Sequence, residues 1–399
     1  MLWNPRAWTL YILLGLGSPA LILGSGIKDI TWAPGTPLPW PTKGQAQAVL
    51  GDRIVAACAP GYPGWDPRKT RDRGKHNSVW LFDTKSGSYE ILPEAPLGLV
   101  WPQGVAVGPD FYLFTGGIRW PEAASGITSN RMFRLSFSSG KWRWDEMPSL
   151  TTGRFLPAAV ASGTKIVVLG GQASFGADRF TGDHPGVDIN SVETFDTDNP
   201  KQGWYELPPI PSYGRESMAA AAIGENVYIF GGFYVNYAEA GEDFHPHRRH
   251  GGDAYVLNLN TLRWKRLPDL PFPAGGWEAA VHRDRYIIIA GGMRDYPVDH
   301  TYLYTDRIPS TPSPNFKVLV FDSKNEEYSV MPTALPPFQP PPEKRLQALE
   351  AKWIDFSKGV YRLAAELSAV GGRLYLAGGE VISPANVTDE VLVGAIIEE

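Results

Sequence analysis

One pattern of hydrophobic and polar positions recurs along most of the chain. A strand of small residues is followed by an apolar strand that ends in Gly-Gly, as in AAVASGTKIVVLGG and AAAAIGENVYIFGG. After a variable loop comes a third strand with an Asp or Asn turn, then an aromatic residue and a Leu-Pro or Met-Pro element. Alternating runs of this kind are typical of half-buried strands, and paired glycines mark a close approach of backbones. The pattern therefore predicts a series of four-stranded sheets.

Six such units can be aligned between Asp29 and Ile397. Four strands per unit, at a spacing of about 50 residues, resemble the kelch repeat, which forms one blade of a β-propeller. The first unit is degenerate, with QAVLGDRIVAACAPG in place of the Gly-Gly strand end, and the sixth has no fourth strand of its own. The resemblance implies an all-β, six-bladed kelch β-propeller over residues 27–399.

The missing strand of the sixth unit is expected from the other end of the chain. The segment DITWAPGTPLPWP carries Trp32 followed by Pro37-Leu38-Pro39, the kind of ending that the other units have. If this segment pairs with the last strand, the ring has no unpaired edge, and unpaired edges invite aggregation. We therefore expect residues Ile30 to Leu38 to close the propeller.

The first 26 residues differ in character from the repeats. Residues 7–27 carry no charge, include LYILLGLGSPALIL and follow Arg6. Such a stretch is typical of a secretory signal peptide, although about 20 apolar residues can also span a bilayer as an uncleaved anchor. Two glycines and Pro19 interrupt the apolar run and favour cleavage. We expect a secreted or periplasmic protein that touches a membrane only if this segment is retained.

Composition and charge narrow the classes of function. The net charge is −5, from 37 basic and 42 acidic residues, and no long basic run is present. The electrostatic footprint of a nucleic-acid-binding protein is therefore missing, and we expect no nucleic-acid partner. The chain has one cysteine, Cys58, which excludes an intramolecular disulfide. Its position in the apolar run IVAAC favours a buried and inert thiol.

We expect no metal and no cofactor. The three histidines of FHPHRRHGG have a spacing that could attract a metal ion, but the two arginines between them repel cations. The propeller of galactose oxidase uses a copper ion and a Cys–Tyr cross-link, and Cys58 has no matching ligand set in the sequence.

One insertion departs from the strand pattern. The segment RLQALEAKWIDF places Leu346, Leu349, Trp353 and Ile354 on one face of a helix. Amphipathic stripes usually serve packing, so a short helical insertion against the propeller rim is favoured over a lid on the channel mouth.

Propeller topology indicates which face carries the function. The loops between second and third strands share one face with the connections between units, and here these loops are long and polar. Binding chemistry concentrates on loops of a rigid scaffold. Candidate binding residues near the starts of the inner strands are Arg154, Arg215, Trp277, Arg362, Trp101 and Gln103. They suit a polar small ligand, anionic or hydroxylated. The arginines could instead bond loop carbonyls and neighbouring blades.

The N-terminal PGTPLPWPTKGQAQAV and the ending GGEVISPANVTDEVLV resemble the N-acetylneuraminate epimerase (sialic acid mutarotase) group of kelch propellers. The resemblance implies interconversion of sugar anomers, which needs a general acid and a general base. Phe233 and Glu239 stand where that group has its proposed catalytic Glu and Arg. The acid–base candidates here are instead Glu380, Glu278 and Glu216, chosen for their expected position on the ring.

A non-enzymatic scaffold is the alternative function. In that case the loop face would bind a glycan, a peptide or a protein partner. The basic loop of the first unit, residues 68–76, and the aromatic loops of the fourth and fifth units would serve such binding. A deep channel with converging Glu and Arg would favour a small molecule, whereas an open face would favour a protein.

Overall fold

The computed structural model describes residues 26–59, 76–120, 127–173, 188–235, 248–294, 313–314, 316–337, 365–379 and 388–399. These residues form six antiparallel sheets of four main strands each, which are the six blades of a propeller. The predicted helix and the basic loop of the first unit (apart from His76) lie outside the described residues, as do residues 1–25. Within the described ranges the helical element is a 3-10 turn at Pro200–Gln202.

The strands are numbered in chain order. The closing strand is β1 (Ile27–Pro34), and blade 1 contains β2 (Ala46–Leu50), β3 (Arg53–Ala59), β4 (Ser78–Asp83) and β5 (Ser88–Leu92). Then come β6 (Gly98–Val100), β7 (Gln103–Val107), β8 (Asp110–Phe114), β9 (Gly117–Trp120), β10 (Met132–Ser138) and β11 (Lys141–Met147), where β7, β8, β10 and β11 form blade 2. Blade 3 contains β12 (Ala158–Ser162), β13 (Lys165–Leu169), β14 (Val192–Asp196) and β15 (Tyr205–Leu207).

The remaining strands complete the ring. Next are β16 (Ala219–Ile223), β17 (Asn226–Phe230), β18 (Phe233–Val235), β19 (Arg248–His250), β20 (Ala254–Asn258) and β21 (Arg263–Arg266), where β16, β17, β20 and β21 form blade 4. Blade 5 contains β22 (Ala274–His282), β23 (Tyr286–Arg294), β25 (Leu319–Asp322) and β26 (Glu327–Val330), with the short β24 (Ser313–Pro314) paired to β23. Blade 6 contains β27 (Glu366–Val370), β28 (Arg373–Ala377) and β29 (Val391–Glu398).

The N-terminal strand closes the sixth blade, as the sequence predicts. Strand β1 is the outermost strand of that blade and pairs antiparallel with β29, from Ile27 opposite Glu398 to Pro34 opposite Leu392. Beyond β1, the amide of Leu38 donates to the carbonyl oxygen of Asp389 at 2.8 Å. The pairing therefore continues past the strand and joins the two described ends of the ring.

The core lies between the blades. The described residues form six hydrophobic clusters, and each cluster combines side chains from two neighbouring blades. The cluster between blades 6 and 1 includes Tyr375 and Phe82, whose ring centroids are 6.0 Å apart. Because this cluster links the last blade to the first, apolar burial continues around the whole ring.

The Gly-Gly strand ends bring neighbouring blades into direct backbone contact. The second residue of the pair donates its N–H to a carbonyl of the following blade, as in Gly171 to Arg215 (2.8 Å) and Gly232 to Ala274 (2.9 Å). A Cβ on Gly171 would lie 2.9 Å from the carbonyl oxygen of Phe155, and the φ of Gly171 is +94°. Glycine is therefore required both for space and for the left-handed backbone.

The aromatic and Leu-Pro elements of the repeat are two halves of one contact. Trp144 donates from its indole N–H to the carbonyl oxygen of Pro93 at 3.0 Å, and Trp264 donates to that of Pro208 at 2.9 Å. In each pair the aromatic residue belongs to the outer strand of one blade and the proline follows the outer strand of the preceding blade. These two sequence elements recur together because each contact needs both.

Candidate functional site

The loops between the second and third strands of each blade lie on the same face as the connections between blades, as propeller topology predicts. Strand β6, in the connection from blade 1 to blade 2, pairs with β9, in the loop that follows the second strand of blade 2. Single bridges repeat this arrangement, between Phe155 and Gln172 in blade 3 and between Glu216 and Phe233 in blade 4. The face on which these segments meet is the loop face.

One register position of the innermost strands reaches the centre of the ring in blades 2, 3, 5 and 6. It lies opposite the residue that precedes the Gly-Gly pair, as for Glu278 opposite Ala290 and Glu366 opposite Ala377. The equivalent residues in blades 1 to 6 are Ala46, Gln103, Ala158, Ala219, Glu278 and Glu366. Three blades thus carry alanine here, while blades 2, 5 and 6 carry polar side chains.

A small cavity occupies the axis at this level. Its volume is about 50 Å³, and its wall receives residues from all six blades, among them Gly44, Trp101, Gln103, Ala158, Glu278 and Glu366. Since one water needs roughly 10–15 Å³ of such volume, the cavity has room for a few waters. A sugar ring needs more room, so a ligand of that size would have to lie on the loop side of the cavity.

Glu278 and Glu366 form a coupled pair of carboxyl groups on the cavity wall. Burial raises the pKa of Glu278 to about 8. Burial also raises the pKa of Glu366 well above its usual value, and the charge of Glu278 raises it further. Two carboxyls that share a poorly solvated site resist ionising together, so the pair holds at least one proton at neutral pH.

Sequence reasoning selected Glu278 but missed Glu366. The signal was present, because both glutamates occupy the same position relative to the Gly-Gly end of the next strand. A plain residue count is not enough, because Glu278 lies 13 residues before Gly291 and Glu366 lies 12 before Gly378, and the strand register is needed to align them.

The two described arginines of the candidate set are built into the blades. Arg154 is fully buried and donates to the carbonyl oxygens of Gly170 (2.9 Å) and Ser191 (2.8 Å). It also donates to the carboxylate of Glu193 at 2.5 Å. Arg154 thus ties both ends of the long loop of blade 3 to the inner strand.

Arg215 has the same role in blade 4. It donates to the carbonyl oxygen of Gly231 at 3.2 Å and makes a two-pronged ion pair with Asp253 at 2.7 and 2.8 Å. Burial opposes ionisation of Asp253, but the hydrogen bonds and charge of Arg215 outweigh it and lower the pKa of this carboxyl. Both arginines therefore donate hydrogen bonds to loop carbonyls, which is the alternative to ligand binding that the sequence leaves open for them.

The tryptophans differ in their surroundings. Trp277 is 1% exposed, and its indole N–H donates to the carbonyl oxygen of Phe230 at 3.2 Å. Trp101 is partly exposed, lines the cavity and packs edge-to-face on Phe155 with centroids 5.3 Å apart. The ammonium of Lys43 lies 5.3 Å from the Trp101 ring. Of the two, Trp101 is the one available to a ligand.

Three candidates remain, and the one that the structure describes, Glu216, does not line the cavity. Glu216 is fully buried, and its backbone pairs with Phe233 in both directions at 2.8 Å. Arg362 and Glu380 lie outside the described residues. The structure therefore brings together Glu278, Gln103 and Trp101 from the predicted set and adds Glu366.

The histidines and the cysteine of the chain offer no metal site in the described ranges, where no cluster of three His, Cys, Asp or Glu side chains could hold a metal ion. His250 packs edge-to-face on Phe233 with centroids 4.9 Å apart, whereas the other two histidines of its segment are not described.

Cys58 is buried, and burial raises the pKa of its thiol to about 12. The prediction that this thiol is buried is confirmed. Nowhere in the described part of the chain does a helix reach the length and apolarity needed to cross a membrane.

Six four-stranded blades joined through Gly-Gly ends and aromatic-to-proline contacts define a kelch-type β-propeller. A family model described as the KLHDC2/KLHL20/DRC7 Kelch-repeats domain matches residues 101–349. The chain belongs to this family of kelch-repeat proteins.

Individual relatives cover the chain only in part. Kelch domain-containing protein 3 of Bos taurus is 27% identical over 247 residues, which are 58% of this chain and 55% of that protein. The Homo sapiens protein of the same name is 23% identical over 247 residues with the same coverage. N-acetylneuraminate epimerase of Haemophilus influenzae (strain PittEE) is 33% identical over 100 residues, 25% of this chain and 24% of that protein. The chain thus spans about half the length of the first curated relatives it matches.

Proposed function

We propose that this kelch propeller binds a small hydroxylated ligand, such as a sugar, at the loop-side mouth of its channel. In this proposal Glu278 and Glu366 act as the proton donor and acceptor of a mutarotase-like reaction. The observation that carries the proposal is the coupled carboxyl pair on the cavity wall, held beside Gln103 and Trp101. The partial similarity to N-acetylneuraminate epimerase supports the choice of a sugar.

The chemistry of mutarotation matches a carboxyl pair that carries one proton. The ionised carboxyl removes the proton of the anomeric hydroxyl while the neutral one protonates the ring oxygen. The bond between the anomeric carbon and the ring oxygen breaks, giving an open-chain carbonyl compound. Ring closure on the other face returns both protons to where they began. A pKa near the working pH favours such transfer, and that of Glu278 is about 8.

The size of the cavity sets the pose of the ligand. About 50 Å³ admits a hydroxyl group or a water, so the anomeric hydroxyl would enter the cavity while the ring stays on the loop side. The Gln103 amide can hydrogen-bond a hydroxyl, and the partly exposed ring of Trp101 can contact the apolar face of a sugar.

Export is part of the same proposal. We propose that residues 1–26 act as a signal peptide, or remain as an anchor, and deliver the propeller to a secreted or periplasmic location. Strand β1 begins at Ile27, directly after this segment. Cleavage before Ile27 would leave the closing strand whole, which supports a functional boundary at that point.

The test measures the equilibration of freshly dissolved N-acetylneuraminic acid and glucose by NMR, with purified residues 27–399. We expect the wild-type protein to accelerate equilibration of at least one of them, and Glu278→Gln or Glu366→Gln to lower the rate at least tenfold. Glu206→Gln, an exposed glutamate on the outer strand of blade 3, is the matched control and should retain the rate. If the wild-type protein accelerates neither sugar, the mutarotase proposal is wrong.

A non-enzymatic binding scaffold is the second candidate. The narrowness of the cavity favours it, because a cavity of about 50 Å³ is too small to enclose a sugar ring. Kelch domain-containing protein 3 is among the relatives with the longest match. A protein partner captured by the loop face and unaffected by Glu278→Gln, together with no effect on sugar equilibration, would favour this candidate.

A further inference from the structure

A second concavity lies on the loop face over blade 4, apart from the axial cavity. It has a volume of about 440 Å³, within the roughly 300–1,000 Å³ typical of small-molecule sites. Its wall includes Tyr213, Tyr234, Arg215, Asp253, Arg266 and Asp269. None of the residues that line it also lines the axial cavity. We call it the blade 4 groove.

The groove contains a rigid aromatic platform. Tyr213 and Tyr234 stack with centroids 5.5 Å apart and ring planes 8° from parallel. Tyr213 is nevertheless 61% exposed, so a large part of its surface remains open to solvent. The Arg215 guanidinium lies 6.0 Å from the Tyr234 ring and, being paired with Asp253, fixes the floor of the groove. An exposed aromatic ring held by stacking is a surface that a ligand can cover at little entropic cost.

The charges in the groove compensate one another. Arg215 is paired with Asp253 at 2.7 Å, and Arg266 is paired with Asp269 at 2.7 Å. An anionic ligand would approach two carboxylates, and a cationic ligand would approach two guanidinium groups. The exposed pair of Arg266 and Asp269 still presents N–H donors beside carboxylate acceptors. A neutral ligand with several hydroxyl groups matches this arrangement best.

We infer that the blade 4 groove is a binding site for a neutral carbohydrate. The apolar C–H face of a pyranose ring covers Tyr213, and neighbouring hydroxyls bond to Arg266 and Asp269. The site is independent of the proposed chemistry at Glu278 and Glu366, because the two concavities have separate walls. It would hold a glycan on the face where the channel opens.

The inference is tested by saturation-transfer difference NMR on residues 27–399 with lactose, maltose, N-acetylglucosamine and methyl mannoside as probes. We expect at least one probe to bind, and Tyr213→Ala to weaken it about tenfold through loss of the ring contact. Tyr213→Phe should retain most of the affinity. The matched control is Phe137→Ala. Phe137 is similarly exposed (57%), but it lies in the β10–β11 hairpin of blade 2, at the end away from the loop face.

Two further measurements distinguish sugar binding in the groove from binding driven by charge and from binding at the axial cavity. Compensated charges predict that raising the NaCl concentration leaves the affinity unchanged. Glu278→Gln should also leave it unchanged, so failure of the channel proposal would not remove the groove. The inference is overturned if none of the four sugars binds, if Tyr213→Ala binds as well as wild type, or if salt abolishes binding.

Discussion

The indole N–H of Trp204 donates a 2.9 Å hydrogen bond to the carbonyl oxygen of Pro148 in the preceding blade. Trp144 and Trp264 make the equivalent bond one blade to either side. In blade 5 a tyrosine replaces the tryptophan, and Tyr328 donates to Pro268 at 3.1 Å. One aromatic position therefore recurs because its N–H or O–H group makes a hydrogen bond to the preceding blade while its ring packs within its own blade.

Trp204→Phe should lower the free energy of unfolding by about 1 kcal/mol. The phenyl ring retains most of the packing against Phe195 but loses the bond to Pro148. Urea denaturation followed by circular dichroism measures the change. Trp142→Phe is the control, since Trp142 packs on the exposed ring of Phe137. Equal effects of the two substitutions would contradict a specific role for the Trp204 bond.

Arg154→Met should destabilise the fold by about 3–5 kcal/mol, because Glu193 would remain as a buried charge without its cation. The double variant Arg154→Met, Glu193→Gln should recover part of that loss. Arg131→Met removes an exposed pair with Glu146 and should cost about 1 kcal/mol or less. Chemical denaturation compares the three. An Arg154→Met protein as stable as the wild type would contradict this structural role.

The stability of the propeller should depend on pH through the cavity carboxyls. The pKa of Glu278 rises on folding from 4.5 to about 8, and that of Glu366 is raised as well. The folded state therefore binds these protons more tightly than the unfolded chain does. Their stabilising contribution is fully present below about pH 4.5 and is lost as the pH rises through about 8.

Glu278→Gln should flatten this pH dependence. Between about pH 5 and pH 8, Glu278 is protonated in the folded state and ionised in the unfolded chain, so the unfolding free energy falls by about 1.4 kcal/mol for each unit that the pH rises. The glutamine variant loses that slope and becomes more stable than wild type near pH 8. Urea titrations across this range give the slopes. Parallel curves for the wild type and the variant would contradict the raised pKa.

Removal of residues 1–36 should open the sixth blade. Strand β29 would then present an unpaired edge, and we expect a lower melting temperature and aggregation. A synthetic peptide of residues 26–36 should add to this edge as a strand, which would raise the melting temperature again and prevent aggregation. The control is the same peptide with Ile30→Asp, because Ile30 is 0% exposed in the closed blade. Restoration by the control peptide would show that Ile30 burial is not needed.

Much of the fold could be predicted because short sequence patterns that recur in each blade specify its strands and turns. The Gly-Gly ends, the aromatic-to-proline elements and the Trp32 segment each predicted a correct part of the ring. The site was harder to predict. Arg154 was selected for its position near the channel, but a side chain of that length can turn into its own blade, and its partners Ser191 and Glu193 lie beyond a long loop.

The number of blades, their strand order and the closure of the ring by the N-terminal strand can all be predicted from the repeats of the chain. These follow from periodicity and from the need to pair every edge. The folded chain was needed to show that Glu278 and Glu366 share one cavity, that Arg154 is buried against Glu193, and that a groove lies beside Tyr213. The repeats specify each strand and turn locally, whereas these features bring together residues that are far apart in the sequence, from different blades at the cavity and across a long loop for Arg154 and Glu193.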